Sequence, residues 1–233
     1  IYTMSKKMTL HSKIAITITL ALVFGGTISF YLLENNNPGT FAGMSWLEKF
    51  YAAFFQSVTS RTAGFNTIDL TRMTEPSKLL TVILMFIGGS PGSTAGGIKT
   101  VTFGVTVITA LAVVKGNDRV SVFGKRLSPS VVNRSFTIVM IALFVVIIGV
   151  MVLSITEKAS LMEILFEVVS AFGTVGLTLG LTQNLTNVGK TIIIVIMYFG
   201  RVGVFTVAFG LMKIMNNGVQ DKIHYAEEKI MVG

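Results

Sequence analysis

The stretches Thr62-Ala63-Gly64-Phe65-Asn66 and Thr174-Val175-Gly176-Leu177-Thr178 lie 112 positions apart and share a threonine–apolar–glycine core. The same offset carries Met85 onto Met197, Phe86 onto Tyr198 and Gly88 onto Gly200. Each core stands between a short segment that opens on a helix-start signal and a long apolar run. A register kept over so many positions marks two copies of one unit.

Composition places both copies in a membrane. Of 233 residues, 52% are hydrophobic and 13% charged, against roughly 25% charged in soluble domains. Four apolar stretches, 14–33, 79–114, 136–155 and 191–212, approach or exceed the ~20 residues that a helix needs to cross a bilayer. Four of them exclude a cleaved leader as the source of the signal. The net charge of +8 raises nucleic acid as a partner, but the placement of the charges excludes it. Lys6, Lys7 and Lys13 precede the first stretch, and Lys115, Arg119, Lys125, Arg126 and Arg134 follow the second against Asp118 alone. Segment 34–78 is balanced, four basic residues against four acidic. That asymmetry puts 1–13, 115–134 and the tail after 213 in the cytoplasm. With no cysteine, no disulfide framework or thiolate metal site is possible. The chain opens on Ile1 in a basic stretch that reads like an inter-span loop, so a piece of a longer polypeptide is expected.

Each unit reads as span, short helix, loop, span. After the turn Asn35-Asn36-Asn37-Pro38-Gly39, Ser45-Trp46-Leu47-Glu48 forms a capping box, and Ser160-Leu161-Met162-Glu163 repeats it. Each box starts a helix of about 12 residues, which at ~1.5 Å per residue ends near the bilayer middle. The chain must then return to the side it came from. Such a re-entrant loop survives only where it lines water or is buried in protein. The helix macrodipole leaves partial negative charge at its inner end, which favours a cation. Gly64 and Gly176 supply backbone angles that a row of converging carbonyls needs. Potassium-channel filters replace the hydration shell of an ion with such carbonyls. Residues 62–66 and 174–178 are therefore read as filter segments, with the hydroxyls of Thr62 and Thr174 as added potassium ligands and Asn66 and Thr178 as braces. Four loops are needed around an ion, and this chain supplies two.

The second apolar stretch is broken. As one straight helix, residues 78–115 would run about 57 Å, nearly twice the ~30 Å hydrocarbon core. Gly88-Gly89-Ser90-Pro91-Gly92-Ser93-Thr94-Ala95-Gly96-Gly97 holds five glycines and a proline, each unfavourable in a helix. Lying below the filter, this segment is read as a gate across the ion path. A passive kink with close helix packing is the competing reading. A phosphate loop is a near miss, because Ile98 holds the lysine position of G-x-x-x-x-G-K-[ST] and Lys99 comes one residue late. The second unit has Gly200-Arg201-Val202-Gly203 instead. Arg201 is too central to snorkel, and a charge within a span is functional by default. It is expected to bond the carbonyls or hydroxyls of 88–97 and to set an electrostatic barrier to cations. Lys99 is a second candidate for that part, or snorkels to the cytoplasm. Glu167 is either a mouth charge or part of a buried bond network.

The motifs S-R-T-A-G-F-N-T (60–67), G-G-S-P-G-S-T-A-G-G-I-K-T (88–100), A-F-G-T-V-G-L-T (171–178) and G-R-V-G (200–203) resemble those of the Ktr/Trk/HKT potassium transporters. Within them, the membrane subunits of bacterial Ktr potassium uptake systems are the most similar. The resemblance implies an all-α integral membrane fold of four span–pore helix–span repeats in pseudo-fourfold arrangement around a central ion pore. The present chain would be repeats three and four. Residues 1–114 would form the third, 115–134 a cytoplasmic basic loop, 135–215 the fourth and 216–233 a cytoplasmic tail. The resemblance also implies a homodimer in the plasma membrane, resting on a cytoplasmic ring of nucleotide-binding RCK subunits that respond to ATP and ADP. It implies sodium as an activator of uptake, 88–97 as the gating loop and Arg201 as its arginine.

The expected function is potassium uptake through a gated pore, with no enzymatic step. His11 and His224 both fall outside the four stretches, and no nucleophile–base pair is evident. The alternative within transport is a sodium-preferring or non-selective relative. The alternatives outside it are a nucleotide-hydrolysing membrane enzyme built on 92–100 and a structural scaffold.

Overall fold

The computed structural model describes residues 8–117 and 120–203. These residues are mostly helical. In chain order they form α1 (Leu10–Glu34), α2 (Trp46–Thr59), α3 (Glu75–Phe86), α4 (Thr100–Val114), α5 (Pro129–Thr156), α6 (Leu161–Gly173), α7 (Leu181–Asn184) and α8 (Asn187–Val202). A 3₁₀ turn at Leu70–Arg72 precedes α3, and a hairpin of β1 (Ser121–Val122) and β2 (Lys125–Arg126) joins α4 to α5.

The helix bounds differ from the apolar stretches in instructive ways. Thr9 caps α1 by accepting from the Ser12 N–H, so His11 lies in the first turn of α1 rather than ahead of it. Pro129 opens α5, at the position where a missing N–H costs nothing. Arg134 therefore belongs to α5, and the basic loop shrinks to a hairpin. Asp118, Arg119, the tail 216–233 with His224, and the last apolar stretch beyond Gly203 lie outside the described residues. Helices α1 and α5 are long and apolar enough to cross a membrane. The second stretch stops at Phe86 and resumes at Thr100, as its glycines and proline require.

Helix α2 packs on α1, and α6 packs on α5 and α8. The halves meet where α3 lies against α6 and α4 against α5. Phe30, Phe41, Met85, Phe166 and Phe172 are fully buried in one core, and the rings of Phe86 and Phe172 stack at 5.7 Å. Each such side chain contributes about 1.5–3 kcal/mol by leaving water. The outward faces are equally apolar. Ile16, Leu20, Phe24, Ile28 and Leu32 recur every fourth residue along α1 and are exposed, as are Met140, Phe144, Ile147, Met151 and Ile155 on α5. Rows at helical spacing on one face form contiguous apolar stripes, the kind of surface that marks a protein or membrane contact.

Both capping boxes close reciprocally. Glu48 accepts from the Ser45 N–H at 2.7 Å and Glu163 from the Ser160 N–H at 2.8 Å, while each serine hydroxyl accepts from the N–H of its glutamate. The helices they start hold 14 and 13 residues, slightly longer than the sequence suggests.

A second paired device had no sequence signal assigned to it. Glu34 ends α1, is fully buried, and accepts from the N–H and hydroxyl of Thr74, the N-cap residue of α3, at 2.9 and 2.8 Å. Its other oxygen accepts from Asn37 and Thr40. Glu157 follows α5 and accepts from the N–H and hydroxyl of Thr186, the N-cap of α8, at 3.1 and 2.6 Å. Thr74 and Thr186 are again 112 positions apart. In each half an acid at the exit of the first helix fastens the start of the last, so the intervening loop is closed at its base. The hydroxyl of Thr186 holds the Glu157 carboxyl below the usual carboxylate range, ahead of the opposing effect of burial. Its contribution is therefore full above about pH 4.3 and is lost as pH falls through the lower folded-state value.

Glu34→Ala is expected to destabilise the complete protein in detergent by about 3 kcal/mol, because it strands several donors of a charge-assisted set. Glu157→Ala, which removes fewer bonds, should cost less. Thermal unfolding monitored by tryptophan fluorescence checks this, and equal or absent losses would refute the clamp.

Candidate functional site

The two threonine–glycine cores adopt the same unusual backbone. Thr62 has φ 73° and Thr174 φ 51°, and Gly64 and Gly176 follow at φ 78° and 92°. A β-branched residue in the left-handed region is a genuine outlier and costs on the order of 1–3 kcal/mol. Such cost recurring at equivalent positions marks a site held in place for a purpose. The second core starts at Thr174, the C-cap of α6, and the first starts at Thr62, separated from the end of α2 at Thr59 by the cap Ser60 and Arg61. The cores also abut: a β-carbon at Gly64 would run into the Val175 carbonyl oxygen. Only glycine permits that approach.

The cores are braced differently. In the first, the Thr59 hydroxyl accepts from the Phe65 N–H at 2.9 Å and donates to the Phe65 carbonyl. In the second, Thr178 donates to Glu167 at 2.7 Å, and Thr182 donates to the other carboxylate oxygen. Glu167 is 6% exposed, so it is a network member rather than a mouth charge. Asn66 reaches only the Ile68 carbonyl, at 3.4 Å. Val175 and Leu177 are buried, whereas Ala63, Phe65 and Asn66 are exposed. The difference follows from packing, since α8 lies along α6 while α3 crosses to α6 of the other half. A cavity of about 270 Å³ flanks the second core, with Glu167, Ser170, Thr174, Thr182, Ile193 and Met197 in its wall.

The interruption 87–99 lies against the second core. The Gly96 N–H donates to the Thr174 hydroxyl at 3.1 Å, and the Gly97 N–H to the Phe172 carbonyl at 3.2 Å. The Thr174 hydroxyl, read from sequence as an ion ligand, is thus engaged by the loop. The Ile98 N–H donates to the Phe86 carbonyl at 3.1 Å and the Thr100 N–H to the Gly89 carbonyl at 3.0 Å. Gly88 and Gly200 repeat one accommodation. A β-carbon at Gly88 would strike the Gly96 carbonyl, and one at Gly200 the Phe172 carbonyl. Ser90 accepts at its carbonyl from the Ser93 N–H and hydroxyl, which folds Ser90-Pro91-Gly92-Ser93 into a tight turn.

Cations take several of the loop's carbonyls. Arg201 donates to the Thr94 carbonyl, and Lys99 to the carbonyls of Ala95 and Ser93. Lys99 therefore turns back onto the loop rather than away from it. The segment 92–100 is preceded by α3 and its amides bond inward, which is unlike a phosphate loop following a strand. Sequence reasoning missed Thr59, because a lone threonine at a helix end carries no signal of its own.

The family model described as "TrkH: Cation transport protein" matches residues 7–223. The potassium/sodium uptake protein NtpJ of Enterococcus hirae is 46% identical over 98% of this chain and 51% of its own length. The Ktr system potassium uptake protein B of Bacillus subtilis is 40% identical over 98% of this chain and 50% of its own. The chain spans about half the length of the curated relatives it matches. The crystal structure of the potassium transporter TrkH from Vibrio parahaemolyticus superposes with a TM-score of 0.75 at 23% identity, over 86% of this chain and 44% of that one. With an interrupted helix, two strained threonine–glycine cores and a match along nearly its whole length, the chain belongs to the TrkH family of cation transport proteins.

Proposed function

We propose that this chain is half of a pore that takes up potassium across a cell membrane, with 62–66 and 174–178 as two of four filter segments. The observation that carries the reading is the repeated backbone: left-handed threonine, then positive-φ glycine, in two abutting loops at the inner ends of short helices. Carbonyls held this way strip water from an ion without a charged side chain. The exposed rows on α1 and α5 suit hydrocarbon, and residues 1–114 and 135–215 are two span–pore helix–span repeats around the pore. The open flank of 62–66 is the seat for the remaining repeats. The interruption 88–97 is the gate, because it sits directly beneath the second filter segment, and Arg201 holds it there. Exposed Lys125 and Arg126 on the hairpin face the cytoplasm, where a nucleotide-binding RCK ring docks on a homodimer of the complete subunit. Sodium acts as an activator. A sodium-preferring pore is the second reading, favoured by the single positive-φ glycine in each loop.

Gly176→Ser forces a side chain onto φ 92°, and strain of ~1–3 kcal/mol corresponds to about fivefold to a hundredfold in apparent affinity. In a transport-deficient bacterium expressing the complete protein, the variant should lose potassium affinity and preference over sodium. Indifference would make the cores ordinary turns, and wild-type uptake that favours sodium would establish the second reading.

Arg201→Ala, or deletion of 90–96, should raise the maximal uptake rate several-fold with ion preference retained, by about the 1–3 kcal/mol of a lost charge-assisted bond. Rates unchanged by both would remove the gate.

A further inference from the structure

Arg61 is the one cation around the interruption that the reading above leaves without a part. It directly precedes Thr62, and the second half has Gly173 in its place. Its Nη2 donates to the Gly88 carbonyl at 3.2 Å and to the Thr100 hydroxyl at 2.9 Å. That hydroxyl donates in turn to the Gly88 carbonyl at 3.1 Å. Gly88 and Thr100 are the two feet of the interruption: α3 has just ended at the first, and α4 begins at the second. Both feet are buried. One guanidinium nitrogen therefore joins them to each other and to the first core.

The surroundings make this more than a convenient bond. Among the described residues no carboxylate pairs with Arg61, and its Nε is buried with no partner. A half-buried cation whose Nε is buried with no counter-ion is costly, and such costs mark sites shaped for something besides stability. The three cations divide the loop between them. Arg201 holds its apex at Thr94, Lys99 its flank at Ala95, and Arg61 its feet. Only Arg61 adjoins a filter segment, so only Arg61 carries a shift of that segment to both ends of the loop.

We infer that Arg61 is a positioning residue that couples the first filter segment to the gate by strapping Gly88 to Thr100. The inference rests on the reading of 62–66 as filter and 88–97 as gate. Movement of the 62–66 backbone as an ion enters or leaves changes the strap, and the strap changes the freedom of the loop. The coupling runs through a physical contact rather than through mere proximity.

The test uses the complete transporter in a transport-deficient bacterium, with uptake normalised to the amount of protein in the membrane. Arg61→Gln and Thr100→Val should each raise the maximal rate about threefold or more while moving the KM for potassium less than about twofold, the split expected of a group that acts on the gate. The double variant should exceed neither single, since both cut one strap. Thr100→Ser, which keeps the hydroxyl, should restore the rate. In a background lacking 90–96, Arg61→Gln should add nothing. Additive effects, or a KM shift that persists in that background, would overturn the coupling and place Arg61 in the filter itself. If Arg61→Gln fails to reach the membrane, the Thr100 pair decides alone: an unchanged rate in Thr100→Val refutes the strap. If deletion of 90–96 leaves the rate unchanged, the gate reading fails, and the coupling falls with it whatever Arg61 does.

Discussion

Thirteen residues of backbone, 87–99, leave helical geometry inside an apolar run, and their polar groups must still be satisfied. Unpaired amides and carbonyls are expensive wherever water is scarce. The loop meets much of this need with partners from α3, α6, α8 and the first core. Its amides go to Phe86, Phe172 and Thr174; the Gly88 carbonyl is taken by Arg61 and the Thr100 hydroxyl, that of Gly89 by the Thr100 N–H, that of Ala95 by Lys99 and that of Thr94 by Arg201. That set fixes where α6 must end, because Phe172 lies in its last turn and Thr174 is its C-cap. It also fixes why a charge sits within α8. A carbonyl that faces no amide is well matched by a guanidinium, which offers several donors on a long stem.

The same constraint links the loop to the cores. Thr174 is strained, and its hydroxyl is where Gly96 bonds. Strain of this size persists only when the surroundings over-determine it. The loop below, Glu167 with Thr178 beside it and Gly64 opposite supply that determination for the second core. The first core is held by the Thr59 hydroxyl and by the Arg61 strap. Neither core is a free-standing turn. Each is the meeting point of a helix end and a bond network, and rearranging the loop removes one support from the second core directly and one from the first through Arg61.

Much of this was legible in the sequence, and the limits have physical causes. The repeat, the capping boxes and the glycine-rich break announce themselves by spacing and residue type. So does Arg201, because a charge amid apolar residues has few acceptable environments. The left-handed threonines were not legible: threonine disfavours that region, and only tertiary contacts impose it. Glu34 and Glu157 were hidden because an acid at the end of an apolar run reads equally as solvated. Their partners Thr74 and Thr186 keep the repeat offset, but the acids themselves do not, since the two halves differ in loop length. Thr100 and Arg61 are far apart in sequence, and no local pattern joins them. The extension of α5 to Pro129 was missed because polarity, rather than propensity, was taken to end the span.

The two halves have diverged around one shared necessity. Both halves have a glycine at the repeat position, Gly88 and Gly200, against which a carbonyl is pressed. In the first half that carbonyl belongs to the loop itself, from Gly96, and the helix has already ended. In the second it belongs to Phe172, and α8 continues through Gly200 to Val202. Continuing the helix places Arg201 one residue past the contact, with reach to Thr94 on the loop of the other half. The break in one copy therefore needs helix at the same place in the other: a glycine-rich run in both would leave loop carbonyls without a cation to meet them. Two regular helices would leave nothing beneath the second core at all. The asymmetry of the duplicated units is thus a requirement of hydrogen bonding at their shared boundary.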